Sequence, residues 1–87
     1  MKPVLFEGEA YEQFIEWAEQ APDIFDRIDK LLRDISRTPF KGLGKPEPLK
    51  HKWKGWWSRR ITAEHRLIYK FEKDTIFIAS LKGHYGD

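Results

Sequence analysis

Residues 56–81 read WWSRRITAEHRLIYKFEKDTIFIASL, and their pattern decides the fold. Segments 56–61, 66–71 and 75–81 alternate or run apolar and are rich in β-branched and aromatic side chains, as strands are. Thr62-Ala63-Glu64-His65 and Glu72-Lys73-Asp74 between them are short enough for hairpin connections. Upstream, Ile24, Phe25, Ile28, Leu31, Leu32 and Ile35 fall at offsets 0, 1, 4, 7, 8 and 11, a helical stripe. Asp23, Asp26, Arg27, Asp29, Lys30 and Arg33 occupy the other, solvated face. An earlier helix begins after Glu7-Gly8-Glu9, carries Ala10, Tyr11, Phe14, Ile15, Trp17, Ala18 and Ala21 on one broad face, and is interrupted at Ala21-Pro22. Residues 2–7 read as a first strand. The expected architecture is α+β in the order β-α-α-β-β-β: one domain over residues 1–87, with two N-terminal helices on one face of a mostly antiparallel sheet.

Composition narrows what such a domain does. A chain of 87 residues needs a dense core, and four Trp, six Phe and three Tyr supply one. Without Cys there is no disulfide framework, thiolate chemistry or Cys-based zinc site. No apolar run approaches the ~20 residues of a membrane span. The N-terminus reaches Glu7 too soon for a signal peptide, so a cytoplasmic protein is expected. The net charge of +2 conceals an asymmetry. Residues 1–35 hold four Lys/Arg against nine Asp/Glu, a net of −5; residues 36–87 hold twelve against five, a net of +7. The C-terminal part has the electrostatic character of a phosphate-backbone binder, although lopsided charge also serves solubility alone.

Thr38-Pro39 stops the second helix, and residues 39–55, PFKGLGKPEPLKHKWKG, form the one long irregular segment. Loops of that length in a small domain are usually functional or disordered, and the prolines and tryptophans argue for order. Glu47 is its only acid, held between Pro46 and Pro48, which restrict the backbone. Charge balance among the lysines is the competing explanation. Gly83-His84-Tyr85 follows the last strand directly, and Arg66 opens the strand before it. His51, His65 and His84 lack the short spacing of paired metal ligands, so no metal or cofactor is expected. RNA transesterification needs a base, an acid and cations, and glutamate with histidine is one workable pairing for it. A base takes the ribose 2′-OH proton, an acid protonates the departing 5′-oxygen, and cations offset the charge on the phosphate.

The runs Arg37-Thr38-Pro39-Phe40-Lys41-Gly42 and Gly44-Lys45-Pro46-Glu47-Pro48-Leu49-Lys50-His51 closely resemble the YoeB toxin family. So do Trp57-Ser58-Arg59-Arg60-Ile61-Thr62, Glu64-His65-Arg66-Leu67-Ile68-Tyr69 and His84-Tyr85, in the family's order and spacing, from about residue 10 to 85. The resemblance implies a RelE-like, microbial-ribonuclease-type fold and a toxin that cleaves mRNA in the ribosomal A site, with mRNA and rRNA as partners. It further implies a YefM-like antitoxin that silences the toxin, and a homodimer. By motif, Glu47 would be the general base, His84 the general acid and Arg66 the phosphate stabiliser. Lys50 would assist at the phosphate and Tyr85 would position a base. Arg59, Arg60, Lys45, Lys52 and Lys54 would contact RNA. The chain departs from the family at Lys52-Trp53-Lys54-Gly55-Trp56, which is more basic and aromatic, and at the terminal Gly86-Asp87.

Each residue also has a structural alternative. Tyr85 would cap the sheet, Arg66 would pair with Glu64 or Glu72, and His51 and His65 read as structural. Trp53, Trp56 and Trp57 suit nucleotide stacking, core packing or a dimer interface. A ParE-like toxin that binds DNA gyrase without RNA chemistry is the main rival on the same fold. It has no evident need for Glu47, Arg66 and His84-Tyr85 together. An RNA-binding module without catalysis is the third reading.

Overall fold

The computed structural model describes residues 1–84. β1 (Val4–Phe6) leads into α1 (Ala10–Gln20) and α2 (Pro22–Arg37). β3 (Trp57–Arg60), β4 (Arg66–Glu72) and β5 (Thr75–Ser80) follow after a short β2 (Glu47–Pro48) and a 3-10 turn (His51–Trp53). The strands join in the order β1-β5-β4-β3-β2. β1 runs parallel to β5, and the other three pairings are antiparallel.

Local chemistry accounts for the boundaries. Pro22 opens α2, where a missing N–H costs nothing and the fixed φ suits a helix start. Asp23 lies in that helix's first turn and Arg37 in its last, each with the sign the helix dipole favours. Between β4 and β5, Lys73 and Asp74 both take left-handed conformations (φ 52° and 58°), the geometry of a two-residue turn that matches strand twist. Ile28, Leu31, Leu32 and Ile35 of α2 meet Leu67, Tyr69, Ile76 and Ile78 of the sheet, with Ala10 and Trp17 of α1 and Leu81 completing the core.

Two expectations need correction. The apolar face of α1 is narrower than the sequence suggests: Tyr11 and Ile15 are exposed, because the sheet covers only the side carrying Ala10, Phe14 and Trp17. The segment 39–55 is also less irregular than expected. Glu47 and Pro48 form an edge strand against Ser58 and Trp57. Proline is tolerated there because an edge strand has one side free of ladder bonds. Among the described residues, no helix is long and apolar enough to cross a membrane.

Candidate active site

Arg59 organises the loop that carries Glu47. In β3 it shares with Trp57 the side facing the helices and is fully buried. Its five N–H groups are all used. Nε donates to the Tyr69 hydroxyl (3.1 Å). Nη1 donates to Asp34 Oδ2 (2.5 Å) and Leu43 O (3.1 Å). Nη2 donates to Thr38 O (2.7 Å) and Lys41 O (2.9 Å). Tyr69 in turn donates to Pro39 O (2.6 Å). One guanidinium thus gathers the carbonyls of a turn that has no ladder of its own. The assignment of Arg59 to RNA contact is therefore corrected: a fully buried, fully bonded side chain has no donor left for a phosphate.

Asp34 is the counterpart. Burial acts to raise its pKa, but hydrogen bonds from the Leu43 amide, Arg59 and Arg37, together with the Arg59 charge, outweigh it and hold the carboxyl below its ordinary range. Burial pushes the Tyr69 hydroxyl up, against the opposing Arg59 contact. The loop then passes through Gly44 (φ +78°), where a Cβ would lie 2.9 Å from Leu31 Cδ2 and 3.1 Å from Arg60 O. Gly44 O accepts from the Arg60 amide at 2.7 Å, which delivers Lys45-Pro46-Glu47 to the sheet edge.

Register places Glu47 on the sheet face opposite the helices. It pairs with Ser58, which pairs with Ile68, so these side chains share one face. Arg60 and Arg66, directly paired and two residues further along, share it too. Strand spacing puts the α-carbons of Glu47 and Arg66 roughly 12 Å apart, a gap that two extended side chains can close around a phosphodiester. The carboxylates that sequence offered as partners for Arg66 lie elsewhere: Glu72 pairs with Lys70 (3.5 Å) and Glu64 lies beside His65 (3.7 Å). Arg66 Nη1 instead donates to the carbonyls of Thr62 (3.0 Å) and Ala63 (3.2 Å).

The segment after β5 returns to the same corner. Gly83 O accepts from the Arg66 amide at 2.9 Å, so exposed His84 begins beside Arg66. Lys45, Lys52, Lys54 and Arg60 are all exposed, and exposed Lys50 lies between β2 and the 3-10 turn. Tyr85 lies outside the described residues. Of the tryptophans, Trp57 packs against the core and contacts Phe40 (4.9 Å). Trp53 and Trp56 meet edge to face (5.6 Å), and Lys70 stands over the Trp56 ring.

Residues 6–85 match the model of the YoeB-like toxin of bacterial type II toxin–antitoxin systems. The chain is 45% identical to toxin YoeB of Escherichia coli (strain K12) over 82 residues, covering 94% of this chain and 98% of that protein. It belongs to the YoeB toxin family. Among solved structures it is similar to the YoeB–YefM complex from Staphylococcus aureus, with a TM-score of 0.91 at 37% identity over 98% of this chain and 99% of that one. The YoeB dimer from the same organism matches with a TM-score of 0.90 at 38% identity, over 97% and 98% of the two chains.

Within this YoeB-family chain, the pattern of residues assigned no polar role to Asp34, Tyr69 or Trp17. Asp34 falls three residues from Leu31 and one from Ile35, inside the apolar stripe of α2. Arg59 falls between Trp57 and Ile61 in the period-2 pattern of β3. Two opposite charges on two inward faces were the available signal. The Trp17 indole N–H donates to Leu81 O (2.9 Å), tethering the C-terminal segment to α1.

Proposed function

We propose that this chain is a ribosome-dependent endoribonuclease that cleaves mRNA in the A site by transesterification. Glu47 removes the ribose 2′-OH proton, and the 2′-oxygen attacks the adjacent phosphorus. His84 protonates the departing 5′-oxygen, leaving a 2′,3′-cyclic phosphate and a free 5′-OH. Arg66 and Lys50 offset charge on the non-bridging oxygens, and Tyr85 positions a base. Lys45, Lys52, Lys54 and Arg60 meet RNA phosphates. The reaction needs no metal. Carboxylates are weak bases, so the ribosome supplies the bent phosphate geometry, and orientation of that kind is worth several kcal/mol.

The observation that carries this reading is the pairing of Arg60 with Arg66 on the face that holds Glu47, with Gly83 bonded to Arg66 so that His84 starts there. Like charges directly opposite on a sheet destabilise it. A polyanion seated between them reverses that cost. Family membership adds further support. A YefM-like antitoxin and a second copy of the chain are its protein partners in this reading, and its place of action is the cytoplasm.

Programmed ribosomes with a defined A-site codon test the reading. The expected outcome is cleavage there, with cyclic-phosphate and 5′-OH ends by mass spectrometry, and resistance when the attacking sugar is 2′-deoxy. Equal cutting of the deoxy message, or 5′-phosphate ends, would mean that water attacks. Gyrase inhibition with intact mRNA would replace this reading with the gyrase-binding one.

A further inference from the structure

His84 stands at the end of a segment whose backbone is tied down group by group. The Leu81 amide donates to Gln13 Oε1 (2.7 Å) and its carbonyl accepts from Trp17 Nε1 (2.9 Å). The Lys82 amide donates to Ser80 Oγ (3.3 Å), and the Ser80 hydroxyl donates to the Lys82 carbonyl (2.8 Å). At Gly83 the partners change from α1 and β5 to the last residue of the turn before β4 and the first residue of β4. Its amide donates to His65 Nδ1 (2.9 Å), and its carbonyl accepts from the Arg66 amide (2.9 Å). Two consecutive residues, 65 and 66, thus grip both polar groups of the residue that immediately precedes His84. The left-handed conformation of Gly83 (φ +85°) turns both groups toward them.

The His65 ring is itself held in place. It meets the Trp17 ring in a T-shaped contact, with ring centroids 5.0 Å apart at 76°. Its backbone amide donates to Thr62 Oγ1 (3.0 Å), and its carbonyl accepts from the Ile61 amide (3.0 Å). A ring nitrogen that accepts an N–H cannot carry a hydrogen, so the neutral ring has its proton on Nε2. Nε2 lies 3.7 Å from Glu64 Oε1, an environment that suits that tautomer. His65 is therefore an acceptor at Nδ1, spoken for by Gly83.

We propose that His65 is a positioning residue for the reaction: its Nδ1 holds the Gly83 amide and so fixes where His84 stands relative to Arg66. This rests on the role given to His84 above. His65 touches neither substrate nor reacting atoms, and acts through one backbone bond. A side chain displaced by ~1 Å costs on the order of 10²-fold in rate, so a single strap at the base of the general acid has leverage out of proportion to its own strength.

Two substitutions separate the acceptor from the ring. His65→Leu keeps apolar contact with Trp17 but offers Gly83 no acceptor. His65→Asn places an amide oxygen near the Nδ1 position. Three readouts apply: the Gly83 amide in ¹H–¹⁵N spectra with its exchange rate, single-turnover cleavage on programmed ribosomes, and thermal stability. For H65L the Gly83 amide should shift upfield and exchange faster. The saturating rate should fall by ~10–100-fold, with the half-saturating ribosome concentration little changed. H65N should restore Gly83 protection and return the rate to within a few-fold of wild type.

A protected Gly83 amide in H65L would overturn the strap, as would wild-type cleavage by an H65L protein whose Gly83 amide has lost protection. Equal impairment of H65N and H65L would assign the effect to the ring and overturn it as well. If H65L fails to fold, the Gly83 amide and rate of H65N decide alone. The underlying reading fails separately: wild-type protein that does not cut, or H84Q that cuts at full rate, removes the catalytic role of His84. The Gly83 amide still decides whether His65 straps the segment.

Discussion

Replacing Arg59 by Met keeps an unbranched side chain of similar reach and removes every one of its five hydrogen bonds. Asp34 Oδ2 would keep the Leu43 amide (2.9 Å), and Oδ1 would keep Arg37 (3.1 Å). The Arg37 side chain is 77% exposed, however, so its screened charge compensates poorly for the 0%-exposed guanidinium. Removing one partner of a buried ion pair typically costs about 3–5 kcal/mol, because the other is stranded. Domains hold roughly 0.05–0.15 kcal/mol per residue, about 4–13 kcal/mol at this length, so the loss is a large share of the total. At about 4–8 °C per kcal/mol for a domain of this size, Tm should fall by roughly 12–40 °C. Urea unfolding with fluorescence detection measures the change, and a companion D34L/R59M variant tests its cause. Removing both charges should recover much of the loss, since an uncompensated carboxylate is then absent. A single variant within ~1 kcal/mol of wild type, or a double variant no more stable than the single one, would refute the reasoning.

Acid should act on the same pair. The Asp34 carboxyl titrates lower in the folded than in the unfolded chain, so its contribution is present above the ordinary carboxylate range and is lost as pH falls through the depressed value. Thermal melts between pH 7 and pH 3 should show a decline at the acid end that is smaller in D34L/R59M. Gly44→Ala should destabilise by more than ~1 kcal/mol, since φ +78° and a Cβ 2.9 Å from Leu31 Cδ2 are both unfavourable; chemical denaturation reads this. Glu47→Gln and His84→Gln should each slow A-site cleavage by roughly 10²–10⁴ with ribosome binding little changed, measured by single-turnover cleavage beside pelleting. Growth arrest and mRNA cutting at near wild-type rates in both variants would remove the site assignment.

Periodicity carried most of the fold. The stripe from Ile24 to Ile35 and the alternation in residues 56–81 are local consequences of helix and strand geometry, so they needed no knowledge of neighbours. The same alternation already pointed Arg59 inward, and the helical stripe already enclosed Asp34. Reading charge as a sign of surface concealed both. Glu47-Pro48 resisted prediction because a two-residue edge strand is defined by its partner, Ser58-Trp57, and not by its own pattern.

The candidate site divides along the same line. The amino-acid sequence alone determined which chemical groups exist: one acid flanked by prolines in a basic segment, an arginine opening a strand, a histidine following the last one. These are properties of residue type and short spacing. Only the tertiary structure decided which cations face outward, that Arg60 and Arg66 stand side by side, and that Gly83 is gripped by His65 and Arg66. Those outcomes depend on strand register and on hydrogen bonds between residues up to 68 positions apart. Such contacts form only when the whole sheet closes, and no local pattern encodes them.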